Sequence, residues 1–199
     1  MSKINIGNAV YSRKDVDFVY IPVTRCGSTW LRSVFEHNNF DCIGTIENLK
    51  PLDSFEYLRN KTKLIVLRDP LERIISGMYA PEDFDLDTIY SREKIFNNFP
   101  TDPHTCTQLQ FLNGVNLDDV IYIKYENRSD WGSDMYNLLR PMVPDFKEGP
   151  VEWKCWTDGS SPKHLVDVAR NDKDIYNDMM EYLAEDQKFF DQVKWHESN

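Results

Sequence analysis

The runs DFVYIPV (17–23), KLIVL (63–67) and DDVIYIKY (118–125) are dense in Val, Ile and aromatic side chains. All three runs predict strands, and the first two, without polar alternation, predict strands buried on both faces. FDCIG (40–44) predicts a shorter strand. Between these runs the spacing becomes helical. From Ser28 to Glu36, Leu31, Val34 and Phe35 share one face, with Ser28 or Thr29 as the N-cap. Pro51–Asn60 and Pro70–Tyr79 predict helices with proline in the first turn, and in the second Ile74, Ile75 and Met78 pack inward. Ser133–Leu139 and Asp174–Phe190 predict two more. Strand, loop, helix, strand, helix over the first 80 residues implies parallel βαβ units. The expected fold is α/β: a single domain over 1–199, a parallel central sheet flanked by helices, and a P-loop-like anion-binding loop after the first strand. The acidic loop APEDFDLD (80–87) and the run GPVEWKCWTDGSSP (149–162) follow neither period.

Composition narrows the function more than the fold. Of 199 residues, 41% are hydrophobic and 28% charged, ordinary for a globular chain. The net charge of −10 argues against a nucleic-acid binder or an anionic-membrane binder, since both need a basic face. It leaves room for a local basic pocket. No stretch approaches the roughly 18 apolar residues of a membrane span. The start, MSKINIGNAVYSRKD, lacks a signal peptide's apolar core. Cys26, Cys42, Cys106 and Cys155 show no CxxC spacing, so free thiols in a reducing cytoplasm are expected. Four scattered histidines and no paired cysteines give no reason to expect a metal site.

Two stretches carry candidate chemistry. In IPVTRCGSTW (21–30) a strand passes through Arg25, Cys26 and Gly27 into a helix beginning near Ser28 and Thr29. Such a junction presents backbone N–H groups and the positive end of the helix dipole, a ready phosphate or sulfate site. Gly27 admits close approach, the hydroxyls add donors, and Arg25 adds a charged fork. GxxxxGK[ST] is not met, because its first Gly and its Lys are missing. An ordinary capped helix explains RCGST equally well. In KLIVLRDPLERIISGMY (63–79), Arg68 stands at the carboxyl end of a strand, where open α/β sheets bind ligands, and Ser76 lies eight residues on. Arg73 and Ser76, three apart, share a face. Singly, these are also explained by an Arg capping a turn and a Ser on a helix surface.

Together the stretches resemble the PAPS-dependent sulfotransferases, most closely the carbohydrate type; PAPS is 3′-phosphoadenosine 5′-phosphosulfate. That family carries a 5′-phosphosulfate loop K-x-G-[ST]-T-x after its first strand, matched by Arg25, Cys26, Gly27, Ser28, Thr29 and Trp30. It also carries a 3′-phosphate motif R-[DN]-P-x-x-R-x-x-S-x-x-Y, matched in register by Arg68, Asp69, Pro70, Arg73, Ser76 and Tyr79. Weaker echoes lie in PHTCTQLQFL (103–112), IYIKYENRSDW (121–131) and EYLAEDQKFF (181–190). The resemblance implies an enzyme that transfers a sulfuryl group from PAPS to an alcohol, sugar or phenol hydroxyl without a metal. The acceptor is a small molecule or glycan, and the oligomeric state is open.

The resemblance also assigns roles. Residues 25–30 hold the phosphosulfate, Arg68 and Ser76 the 3′-phosphate, and Lys163, in the loop DGSSPK (158–163), is placed to touch phosphate. Trp30 either stacks on adenine or packs. Transfer needs a base near the acceptor oxygen. Counting about 22 residues back from Arg68, as in the family's cytosolic branch, reaches Ile46, beside Glu47; His37 is the rival. Arg25 departs from the family, which has Lys there. Arg keeps the charge but gives up no proton, so its role becomes an electrostatic clamp on the leaving phosphate. That departure keeps open a weakly active or non-catalytic nucleotide binder. A degenerate P-loop nucleotide kinase is a further alternative.

Overall fold

Phe18 to Ile21 are all buried, and so are Lys63 to Leu67, so the two most apolar runs become inner strands. The computed structural model describes residues 9–45, 60–78, 104–113, 115–125, 131–148 and 163–196. One sheet holds β1 (Ala9–Ser12), β2 (Phe18–Ile21), β3 (Asp41–Thr45), β4 (Thr62–Leu67) and β5 (Val120–Lys124), ordered β3-β1-β2-β4-β5. The α/β class holds, but the sheet is mixed rather than parallel. β2, β4 and β5 are parallel neighbours, whereas β1 runs antiparallel to both β2 and β3. β1 is four residues long and leads into the charged stretch Arg13–Asp17, which hid it from a periodicity reading. The loop at Arg25 therefore follows the second strand, not the first. β3 joins the sheet beside β1, so the first parallel crossover runs from β2 to β4.

The chain divides into two compact units. The sheet, α1 (Ser28–His37) and α4 (Trp131–Leu139) belong to one. There Leu31, Val34 and Phe35 of α1 are buried. Phe35 stacks on Tyr20 of β2 with ring centroids 4.6 Å apart, and meets Phe40 edge-on at 5.0 Å. Such pairs add about 0.5–1.5 kcal/mol each beyond the area they bury. Lys63, at the start of β4, is fully buried and donates to the carbonyls of Lys61 and Asp118, at 3.1 and 2.9 Å.

The second unit contains α2 (Pro70–Met78), α3 (Gln108–Leu112), α5 (Lys163–Asn171), α6 (Lys173–Tyr182) and α7 (Ala184–Gln192). Leu71, Ile74, Ile75 and Met78 of α2 form a core with Val166, Ala169, Met179 and Leu183. The expected helix Asp174–Phe190 is two helices. Asp172 caps α6, accepting from the N–H groups of Asp174 and Ile175 at 3.2 Å. Leu183, with φ −92° and ψ 2°, separates α6 from α7 while its side chain stays in the core. The predicted helix Pro51–Asn60 lies outside the described residues except for Asn60.

Candidate functional site

In the sheet unit the chain must turn from β2 into α1. The N–H of Cys26 donates to the carbonyl of Val23 at 3.2 Å, closing a turn with Arg25 at its third position. Arg25 has φ 68°. This left-handed region costs a residue with a Cβ about 1–2 kcal/mol and is normally given to Gly or Asn. Gly27 follows at φ 72°, ψ 13°, and is the N-cap of α1, with no side chain capping the helix. The expectation of a Ser28 or Thr29 cap is thus corrected. Both lie within the first turn, because Gly27 makes the left-handed step that ends the loop. The first α-helical bond runs from the N–H of Leu31 to the carbonyl of Gly27, at 3.1 Å. Ser28 and Cys26 are buried, Thr29 is exposed, and Arg25 and Trp30 are half-buried. No acid stands in the first turn of α1, where the dipole's positive end lies.

The two base candidates fall elsewhere. His37 is exposed in the last turn of α1. Nine residues at 1.5 Å each place it about 14 Å along the helix from Ser28. Glu47 lies beyond Thr45, the last residue of β3, and outside the described residues.

In the helical unit, Arg68 follows directly on β4. Asp69 then starts α2: its carboxylate accepts from the N–H of Glu72 at 2.9 Å, and its carbonyl from the N–H of Arg73 at 2.9 Å. Pro70 takes the first helical position, where its missing N–H costs nothing. Nη2 of Arg68 lies 3.6 Å from the Glu72 carboxylate. The main chain of Arg68 is gripped at both ends by one side chain. Its N–H donates to Oε1 of Gln108 at 3.0 Å, and its carbonyl accepts from Nε2 of Gln108 at 2.8 Å.

Gln108 is itself fixed by Asp186 of α7. The carboxylate of Asp186 accepts from the N–H groups of Gln108 and Leu109, at 3.0 and 2.9 Å, and from Nε2 of Gln108 at 3.5 Å. Asp186 is 2% exposed. Burial raises its pKa, and the N–H donors of Gln108 and Leu109, with the charge of Arg73, act the other way.

The remaining motif residues divide by burial. Arg73 is fully buried, donates to the carbonyl of Cys106, and sits 5.1 Å from the centre of the Phe111 ring. It braces α3 and the segment leading into it. Ser76 is 7% exposed, which rules out a surface serine. Gly77 makes a close approach necessary: a Cβ there would lie 1.9 Å from the carbonyl oxygen of His104. Lys163 opens α5, but its side chain lies outside the described residues, as does Tyr79.

Sequence reasoning missed Gln108, Asp186 and Gly77. Thr107 and Gln110 form a capping box that marks where α3 begins, so the position of Gln108 was readable. Nothing in EYLAEDQKFF marks Asp186 as buried. No protein-family model, curated protein or solved structure matches the chain.

Proposed function

We propose that the protein is a PAPS-dependent sulfotransferase acting on an alcohol, sugar or phenol hydroxyl. The observation that carries this reading is the turn before α1. It holds Arg25 at φ 68° ahead of a helix N-terminus with a glycine cap and no acid in its first turn. Strain of this kind gathers where a side chain must be held for a ligand. The motif at 68–76 supports the same reading.

The reaction is an in-line displacement. The acceptor oxygen attacks sulfur, the bond to the bridging oxygen breaks, and 3′-phosphoadenosine 5′-phosphate leaves. Arg25, with Cys26, Gly27, Ser28, Thr29 and Trp30, takes the phosphosulfate end. The charge that grows on the leaving phosphate meets the Arg25 guanidinium. Arg68 and Ser76 take the 3′-phosphate, and Lys163 adds a cation. Glu47 receives the acceptor's proton; His37 is the alternative, and its place at the far end of α1 from Gly27 tells against it.

A second reading, a nucleotide binder without catalysis, is favoured by one feature: Arg25 stands where the sulfotransferase loop it resembles has Lys. Incubation with sulfur-labelled PAPS and a panel of hydroxyl acceptors, read by chromatography, separates the two. Labelled product from at least one acceptor, lost in Glu47→Gln by roughly 10²–10⁴ in rate, is the expected result. Binding of the bisphosphate product with no label transferred to any acceptor supports the second reading.

A further inference from the structure

Gln108 spends both ends of its amide on the main chain of Arg68, accepting from the N–H at 3.0 Å and donating to the carbonyl at 2.8 Å. That two-point grip is the pairing a neighbouring strand would offer, and here it is made one residue beyond the end of β4. The grip depends on which way the amide is turned, since the reversed amide would set donor against donor and acceptor against acceptor. Asp186 supports that orientation. It accepts from the N–H of Gln108, the N–H of Leu109 and Nε2 of Gln108, so the nitrogen of the amide faces the carboxylate. Asp186 also completes the start of α3, a five-residue helix whose cap, Thr107, satisfies the N–H of Gln110. Arg73, fully buried, holds the same segment through the carbonyl of Cys106.

We infer that Gln108 and Asp186 are positioning residues that fix the backbone of Arg68 and so set its side chain for an anionic ligand. The inference rests on the reading that Arg68 binds the 3′-phosphate. A long side chain on a loosely held backbone loses conformational freedom when it binds; one launched from a clamped backbone loses less. The clamp therefore acts on 3′-phosphate affinity and leaves affinity for a nucleotide without that phosphate in place. A purely structural role would shift both together or neither.

The test is calorimetric titration of the full chain with 3′-phosphoadenosine 5′-phosphate and, separately, with adenosine 5′-phosphate. Gln108→Met keeps the length and apolar stem of the side chain and removes both hydrogen bonds. Asp186→Asn keeps the clamp residue but removes the carboxylate that orients it. Thermal unfolding of each variant checks the fold. Gln108→Met is expected to weaken the bisphosphate roughly tenfold and the monophosphate by less than about twofold, with Asp186→Asn intermediate. If Arg68→Ala loses bisphosphate affinity while Gln108→Met and Asp186→Asn keep that of the wild type, the positioning role is overturned and the donor assignment stands. If Gln108→Met weakens both nucleotides equally, the residue is structural only and the inference also falls. If the wild type binds no bisphosphate, or Arg68→Ala binds it unchanged, the donor assignment falls and the inference with it.

Discussion

Arg25 and Arg68 are held in different ways, and the difference predicts different mutant behaviour. Arg25 sits in a strained turn before α1. If it meets charge that develops only as the leaving group departs, Arg25→Ala lowers turnover more than donor affinity. Arg25→Lys retains activity, because the compact cation still reaches that charge. Equal turnover in Arg25→Ala and the wild type would remove Arg25 from the mechanism. Arg68 instead has a resident partner, Glu72, at 3.6 Å and four residues on. The Arg68 side chain is 11% exposed and that of Glu72 33%, and an incoming phosphate must compete with this pair. Glu72→Gln is therefore expected to tighten binding of the bisphosphate by up to about fivefold. Weaker binding in that variant would show that Glu72 helps place Arg68 rather than occupying it.

At the scale of elements, the pattern of the sequence was legible where burial is simple and illegible where it is shared. β2 and β4 read correctly because strands buried on both faces leave no polar alternation to misread. β1 did not, since four residues beside a charged stretch carry too short a pattern. The break at Leu183 was invisible because Glu181 to Gln187 contains no Gly or Pro, and Leu183 is buried as it would be in a continuous helix. Of the motif at 68–79 only Arg68 and Ser76 were assigned to a ligand, and Arg73 and Gly77 serve packing. Gly77 supplies a test of that division. A methyl group there meets the backbone of His104, not a side chain that could swing aside. Gly77→Ala is expected to destabilise the fold by about 1–3 kcal/mol, read as a lower midpoint of thermal or denaturant unfolding. An unchanged midpoint would mean that the 104–108 segment is not held against α2.

At the scale of the whole molecule, burial has a consequence at alkaline pH. Burial pushes up the phenol pKa values of Tyr20 and Tyr182 as well as that of Tyr122, which rises to about 12. The unfolded chain releases these protons near pH 10, and the folded chain holds them. The folded state therefore binds more protons in this window, and stability falls as pH rises from about 10 toward 12. Lys63, whose pKa burial lowers, acts with the opposite sign below its usual value of 10.5. Denaturation midpoints measured from pH 9 to 11.5 are expected to decline less steeply in Tyr122→Phe than in the wild type. Identical slopes would contradict this account of Tyr122.

The functional claim also belongs to the whole chain, and it rests on residues whose meaning was legible only in part. The two motifs were readable because their polar residues stand at fixed offsets after strands. The supports of the second were not, because Gln108 and Asp186 lie 40 and 118 residues from Arg68 and meet it only in the fold. The most direct measurement is calorimetric titration of 3′-phosphoadenosine 5′-phosphate into the wild type and Arg68→Ala, in buffer without magnesium. A charge-assisted bond of roughly 1.5–3 kcal/mol predicts saturable binding to the wild type and at least tenfold weaker binding to a still-folded Arg68→Ala. No binding to the wild type, or equal affinity in the two proteins, would contradict the assignment.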